Sequence, residues 1–143
     1  MADYLTQFSC LLDTGSAANR AEAETIRDEL EAELDRLDES LGFDMAPSPE
    51  NGPGVLWLHA WEAGEPAHVI AFALRCAAAL GLTGRWGFRF AETCSRPRLD
   101  GFGGGAHVLD LGAGEVLASI SLATWLDDAL ATKASAATGR GGR

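Results

Sequence analysis

Four arginines, a cysteine and a run of glycines fall within Arg85–Leu111, RWGFRFAETCSRPRLDGFGGGAHVLDL. Guanidinium groups grip carboxylates and phosphates through paired N–H donors, so Arg85, Arg89, Arg96 and Arg98 are candidates for holding an anion or an acidic partner. Gly103, Gly104 and Gly105 follow closely, and glycine backbone can take positive φ and present amides as an anion-binding nest. The alternative for these glycines is steric: a bulged start to a strand beside crowded aromatic rings. The run is neither a P-loop nor a dinucleotide fingerprint, because no Gly-Lys-Ser/Thr follows and the next element reads as a strand. Cys94 lies beside Arg96 and Arg98, where a thiol can be stabilised as thiolate. A nucleophilic centre would need Cys94 with Asp100 and with His107 or His59; the alternative is a buried structural thiol. A Cys-x5-Arg phosphatase loop is excluded because position 100 is Asp100. His59, His68 and His107 stand apart with no Cys-x-x-Cys nearby, so neither a metal site nor a cofactor is expected.

Two further features carry chemistry. Trp57-Leu58-His59-Ala60-Trp61 sets an imidazole between two indoles at alternate positions, which suits either a stacking platform or a half-buried packed histidine. A dense acidic stretch, with Glu22, Glu24, Asp28, Glu29, Glu31, Glu33 and Asp35, offers a second partner surface that could imitate a phosphate backbone in a basic nucleic-acid channel; its alternative is a solvated helix face that keeps the protein soluble. Residues 1–50 hold thirteen acids against three arginines, which is the whole net charge of −10, while residues 51–143 balance eight acids with eight bases. Arg85–Arg98 is locally basic, but no Lys/Arg run has the density that binding to a phosphate backbone usually shows, so nucleic acid is not the favoured partner.

The elements that must position these residues follow from periodicity. Tyr4–Asp13 alternates as a strand, with Tyr4, Phe8, Cys10 and Leu12 on one face. Ile26, Leu30, Leu34, Leu37 and Leu41 form one stripe, predicting a helix over Ala17–Leu41 closed by Gly42 at C′. A short strand is expected at Phe43–Met45, an exposed loop at Ala46–Gly54 and a strand at Val55–Trp61. Pro66 opens a helix through Leu80, apolar apart from His68 and Arg75 and so the most buried. Arg85–Thr93 reads as a strand that turns Trp86, Phe88 and Phe90 inward and Arg85 and Arg89 outward. A loop to Gly105, a hairpin of Ala106–Leu111 with Glu115–Ser121, and an amphipathic helix over Leu122–Ala131 complete the order β-α-(β)-β-α-β-β-β-α. The reading is a single α+β domain over 1–131, a largely antiparallel sheet of four to five strands on two to three helices, with a disordered tail over 132–143.

A chain of 143 residues with 47% hydrophobic and 22% charged residues is large enough for a real core and unlike a disordered protein. Its longest apolar run is too short for a membrane span. Three widely spaced cysteines and no basic leader point to a reducing cytoplasm. Leu82–Leu111 resembles a group of short uncharacterised bacterial proteins of plasmids and phages. The shared pattern here is Trp86, Phe88 and Phe90, then Cys94-Ser95-Arg96-Pro97-Arg98 with Asp100, then Phe102-Gly103-Gly104-Gly105-Ala106. The resemblance implies a mobile-element context and no activity. The expectation is a small acidic binding or regulatory protein acting on a host or self protein, leaning away from catalysis, with its oligomeric state open. A small-molecule binder or enzyme at Cys94 and a nucleic-acid-binding module are the alternatives.

Overall fold

A computed structural model describes residues 2–132. Its elements are β1 (Tyr4–Asp13), α1 (Ala17–Arg36), β2 (Asp44–Pro47), β3 (Val55–Ala60), α2 (Pro66–Leu80), β4 (Arg85–Cys94), β5 (Gly103–Asp110), β6 (Glu115–Ser121) and α3 (Leu122–Ala131). The strands form one sheet ordered β2-β3-β1-β4-β5-β6, and every neighbouring pair is antiparallel. This is the expected α+β class, with a sixth strand because the short segment after Phe43 does pair with β3. Apart from Thr132, the expected tail lies outside the described residues.

Alternation decides which face is covered. Phe8 and Leu12 of β1, Leu56 and Leu58 of β3, Phe88 of β4 and Leu109 of β5 are buried on one side of the sheet. There they meet Ala23, Ile26, Leu30 and Leu34 of α1 and Val69, Phe72, Ala73 and Cys76 of α2 in one cluster. α1 is amphipathic, so only a stripe of it is buried, whereas α2 is apolar nearly all round and sinks deeper. Ser16 caps α1 by accepting from the Asn19 amide, and the buried Thr14 hydroxyl donates to the Gly54 carbonyl at 2.7 Å, tying the helix start to the loop before β3.

α1 stops at Arg36, five residues short of the predicted Leu41. Asp38 takes a left-handed conformation (φ 58°) and the Glu39 amide reaches back to the Leu34 carbonyl, a Schellman closure without glycine. Leu37 is left exposed and the periodic stripe ends in a loop. Gly42, expected at C′, instead lets backbone approach α2: its amide donates to His68 Nδ1, and a Cβ there would collide with Glu65.

One ion pair joins the two helices. Arg75 donates to both Glu33 oxygens at 2.7 and 2.8 Å. The guanidinium holds the Glu33 carboxyl below its ordinary range, and the carboxylate in turn raises Arg75. A lowered folded-state value stabilises above the unfolded-state pKa and stops doing so as pH falls through the folded-state value. Glu33→Gln is expected to lower the thermal midpoint at neutral pH, with the gap to the unaltered protein closing in acid. A gap independent of pH would mean that the pair contributes packing rather than charge.

Candidate functional site

The opposite face of the sheet is not the one that α1 and α2 cover. β4 presents Arg85, Gly87, Arg89 and Ala91 there, since Phe88 of the same strand is buried on the helix side and Trp86 and Phe90 pack against that core. Register places Arg89 opposite Ala106 and Gly87 opposite Val108 on β5, so small residues leave the arginine stems room. On the other side of β1, Leu11 pairs with Trp57 and Ser9 with His59. The Trp57 indole stacks on His59 with centroids 3.7 Å apart and donates to the Ser9 hydroxyl at 2.8 Å. The aromatic pair is thus self-stacked on the uncovered face, Trp57 exposed and His59 half-buried, rather than packed into the core. Trp61 lies just beyond β3, 74% exposed.

Between these two groups the sheet opens. β1 pairs with β4 only through Tyr4–Gln7 and with β3 only through Phe8–Asp13, so its middle is held on one side at a time. The Trp86 indole spans the divergence, donating to the Leu11 carbonyl at 2.8 Å. The resulting cleft, about 440 Å³, runs over Gln7 and Ser9 with Trp61 on one wall and Arg89 on the other. Neither Arg85 nor Arg89 forms an ion pair among the described residues. Asp110, which register sets opposite Arg85, uses its carboxylate to accept from Ala113 in the hairpin turn.

The four arginines do not gather. Arg96 and Arg98 are exposed in the turn after β4, about 30 Å from Arg85 by strand length. Gly103, Gly104 and Gly105 are strand residues, where a loop as far as Gly105 was expected. All three pair with β4, and Gly105 also pairs with Ser121 of β6. A Cβ on Gly104 would strike the Phe90 carbonyl and one on Gly105 the Ile120 carbonyl, and Gly104 has φ 128°. Close strand approach accounts for Gly104 and Gly105, and the three do not frame a loop around the arginines.

A cysteine-centred arrangement fares no better geometrically. Cys94 pairs with Tyr4, whereas His107 pairs with Phe88, six residues back along β4 and about 20 Å away. His107 is committed locally: it lies against the rings of Phe88 and Phe90, its Nδ1 is 2.6 Å from the Ser119 hydroxyl, and burial lowers its pKa. His59 faces the uncovered side beside Trp57. Asp100 accepts from the Tyr4 hydroxyl at 3.0 Å, which raises the Tyr4 pKa. Burial pushes both Cys10 and Cys76 up to about 12. Native labelling at pH 8 is therefore expected to spare these two thiols, which should react only after denaturation; intact-mass analysis with peptide mapping would show it. Rapid native labelling of Cys76 would mean that α2 opens.

The acidic residues of α1 project from the helix layer on the far side of the sheet. Glu22, Asp28, Glu29, Glu31 and Asp35 are exposed, Glu24 is half-buried, and Glu33 is occupied by Arg75. The chain is therefore two-sided: an acidic helical surface on one face, and aromatic rings with exposed guanidinium groups on the other. Sequence reasoning placed the arginine face but missed the cleft, whose signal lies in the change of pairing partner along β1. No group of three or more His, Cys, Asp or Glu that could hold a metal occurs among the described residues.

The fold and this surface define a small α+β protein with an open sheet face. Comparison with protein-family models, with curated proteins and with solved structures finds no match. No helix among the described residues is long and apolar enough to cross a membrane.

Proposed function

We propose that this chain is a non-catalytic binding protein that takes its partner on the uncovered sheet face, in keeping with the plasmid and phage resemblance of Leu82–Leu111. The observation that carries the reading is the cleft between Trp61 and Arg89, open on a face where two arginines form no ion pair among the described residues. Such a face suits a host protein that brings carboxylates to Arg85 and Arg89 and an apolar ridge to Trp61 and Leu11. Arg and Trp are also the side chains that most often dominate binding energy. The exposed acids of α1 provide a second surface for a basic partner. The separation of Cys94 from His107 along β4, and the place of His59 beside Trp57 on the other face of the sheet, weigh against nucleophilic catalysis.

Capture from a host extract tests the proposal when the charge-reversed protein Arg85→Glu/Arg89→Glu is run beside the unaltered one. A partner retained by the latter and lost from the former, with identical circular dichroism, is the expected result. Reversal at Glu31 and Asp35 examines the acidic surface in the same way and leaves the Glu33–Arg75 pair intact. Equal capture by all proteins would defeat the assignment. Salt-sensitive retention on DNA or RNA that depends on Arg89 and Trp61 would replace it with nucleic-acid binding.

A further inference from the structure

The ladder between β1 and β4 stops where the cleft begins. Pairing runs from Tyr4↔Cys94 to Gln7↔Ala91 and no further, although β1 continues beside β3 as far as Asp13. Continued in the same register, Ser9 would face Arg89, Leu11 would face Gly87 and Asp13 would face Arg85. The strands part instead. No ion pair joins Asp13 to Arg85 among the described residues, and the Asp13 carboxylate accepts from the Gly15 amide.

The direction of the main chain in β1 follows from bonds at both of its ends. The Thr6 amide donates to the Glu62 carbonyl, the Thr6 carbonyl accepts from the Gly64 amide, and the Thr14 amide donates to the Gly54 carbonyl. Even-numbered residues therefore turn their N–H and C=O groups toward β3 and the loops that flank it. In an antiparallel strand this direction alternates, so Ser9 and Leu11 turn theirs toward β4. Leu11 agrees: its carbonyl accepts from the Trp86 indole at 2.8 Å, a side-chain donor standing where a strand amide would otherwise lie. By the same alternation from Ala91, Gly87 and Arg89 turn their main-chain groups toward β1. Two rows of donors and acceptors thus face one another across the cleft, beyond the end of the β1–β4 ladder. Ser9, Leu11, Gly87 and Arg89 are all exposed.

We propose that the cleft takes an extended acidic segment of the partner, its main chain pairing with these rows at Ser9 and Arg89 while two carboxylates meet Arg85 and Arg89. The inference rests on the reading of this face as the partner site and adds the form in which the partner is presented. An extended chain directs donors and acceptors to both of its sides, whereas a helix spends its own internally. Arg85 and Arg89 share one face four residues apart, about 13 Å along the strand, so the acids of the segment must also be four residues apart. The residue midway between them lies over Gly87 and against Leu11, where glycine leaves space for an apolar side chain. Residues of the other parity point toward the helix layer, where the Phe8 and Phe88 rings meet with centroids 6.0 Å apart, and must be small. A basic segment would set like charges against both arginines. A phosphate backbone would supply charge but no amide donor for the Ser9 and Arg89 carbonyls.

The probe is an acetylated, amidated nonapeptide of serine and alanine that carries two aspartates four residues apart and a leucine midway. Added to the full ¹⁵N-labelled chain, it is expected to shift the amides of Ser9, Leu11, Gly87 and Arg89 saturably. Arg89→Glu is expected to weaken binding at least about tenfold, with unchanged circular dichroism. Methylating the main-chain nitrogens along one edge of the peptide should weaken it to a similar degree, because side-chain contacts alone would remain. Aspartates three residues apart point to opposite faces, and that peptide should bind weakly. The proposal is overturned if millimolar peptide shifts none of these amides, or if the methylated or respaced peptide binds equally well. It is also overturned if a single-stranded oligonucleotide shifts the same amides and the peptide does not. Failure here is distinct from failure of the partner site. A partner captured from host extract through Arg85 and Arg89, beside a peptide that does not bind, removes the extended segment alone. Capture indifferent to reversal of both arginines removes the face as well.

Discussion

Gly104→Ala and Gly105→Ala are each expected to lower the unfolding free energy by about 3 kcal/mol, whereas Gly81→Ala costs about 1 kcal/mol. The three positions separate two costs. Gly81 ends α2 in a left-handed conformation with open space around it, so alanine there meets only the conformational penalty. Gly105 has an ordinary φ, but its Cβ would strike the Ile120 carbonyl of β6, which cannot retreat without unzipping the hairpin. Gly104 combines both, with φ 128° and the Phe90 carbonyl in the way. Urea denaturation of the three variants measures the order directly. Equal losses at all three would show that backbone freedom alone, and not strand spacing, requires glycine. The same variants address anion binding: a nest at these glycines would give the unaltered protein a phosphate-dependent midpoint that Gly104→Ala lacks.

How much of this was legible beforehand depends on the range over which each signal acts. Tyr4–Asp13, Glu115–Ser121 and Leu122–Ala131 carry period-two or helical patterns bounded by breakers, and their limits were read correctly. The outward turn of Arg85 and Arg89 was legible too, because alternation along one strand sets both faces at once. The end of α1 was not, since the leucine stripe runs through Leu41 and the closure depends on Asp38 adopting a conformation usually left to glycine. Gly42 resembled a helix stop because its true requirement, room for Glu65, comes from a residue 23 positions away. Cys94, Asp100 and His107 are close in sequence, yet register carries His107 back along β4; sequence proximity across a turn is a poor guide to proximity along an antiparallel ladder. The exposure of β6 was equally hidden: its alternation reads as a half-buried strand, yet all seven of its residues are exposed at the sheet edge.

Phe72→Ala is expected to remove about 4 kcal/mol of stability, while Trp61→Ala and Arg89→Ala change it by no more than about 0.5 kcal/mol. Phe72 is completely buried on α2, its ring 5.4 Å from that of Phe43, so truncation leaves a cavity that the sheet and α1 cannot collapse to fill. Trp61 and Arg89 stand on the opposite side of the same sheet and contribute little to that core. The two faces therefore separate folding from recognition, and the variants should divide accordingly. Phe72→Ala lowers the urea midpoint sharply and reduces capture only through the unfolded fraction, so lowering the temperature or adding a stabilising osmolyte restores it. Trp61→Ala and Arg89→Ala leave the midpoint in place and lose capture under every condition in which the protein is folded. A large stability loss in Arg89→Ala would mean that its guanidinium supports the sheet, and the cleft beside it would then be an architectural gap where β1 changes partners.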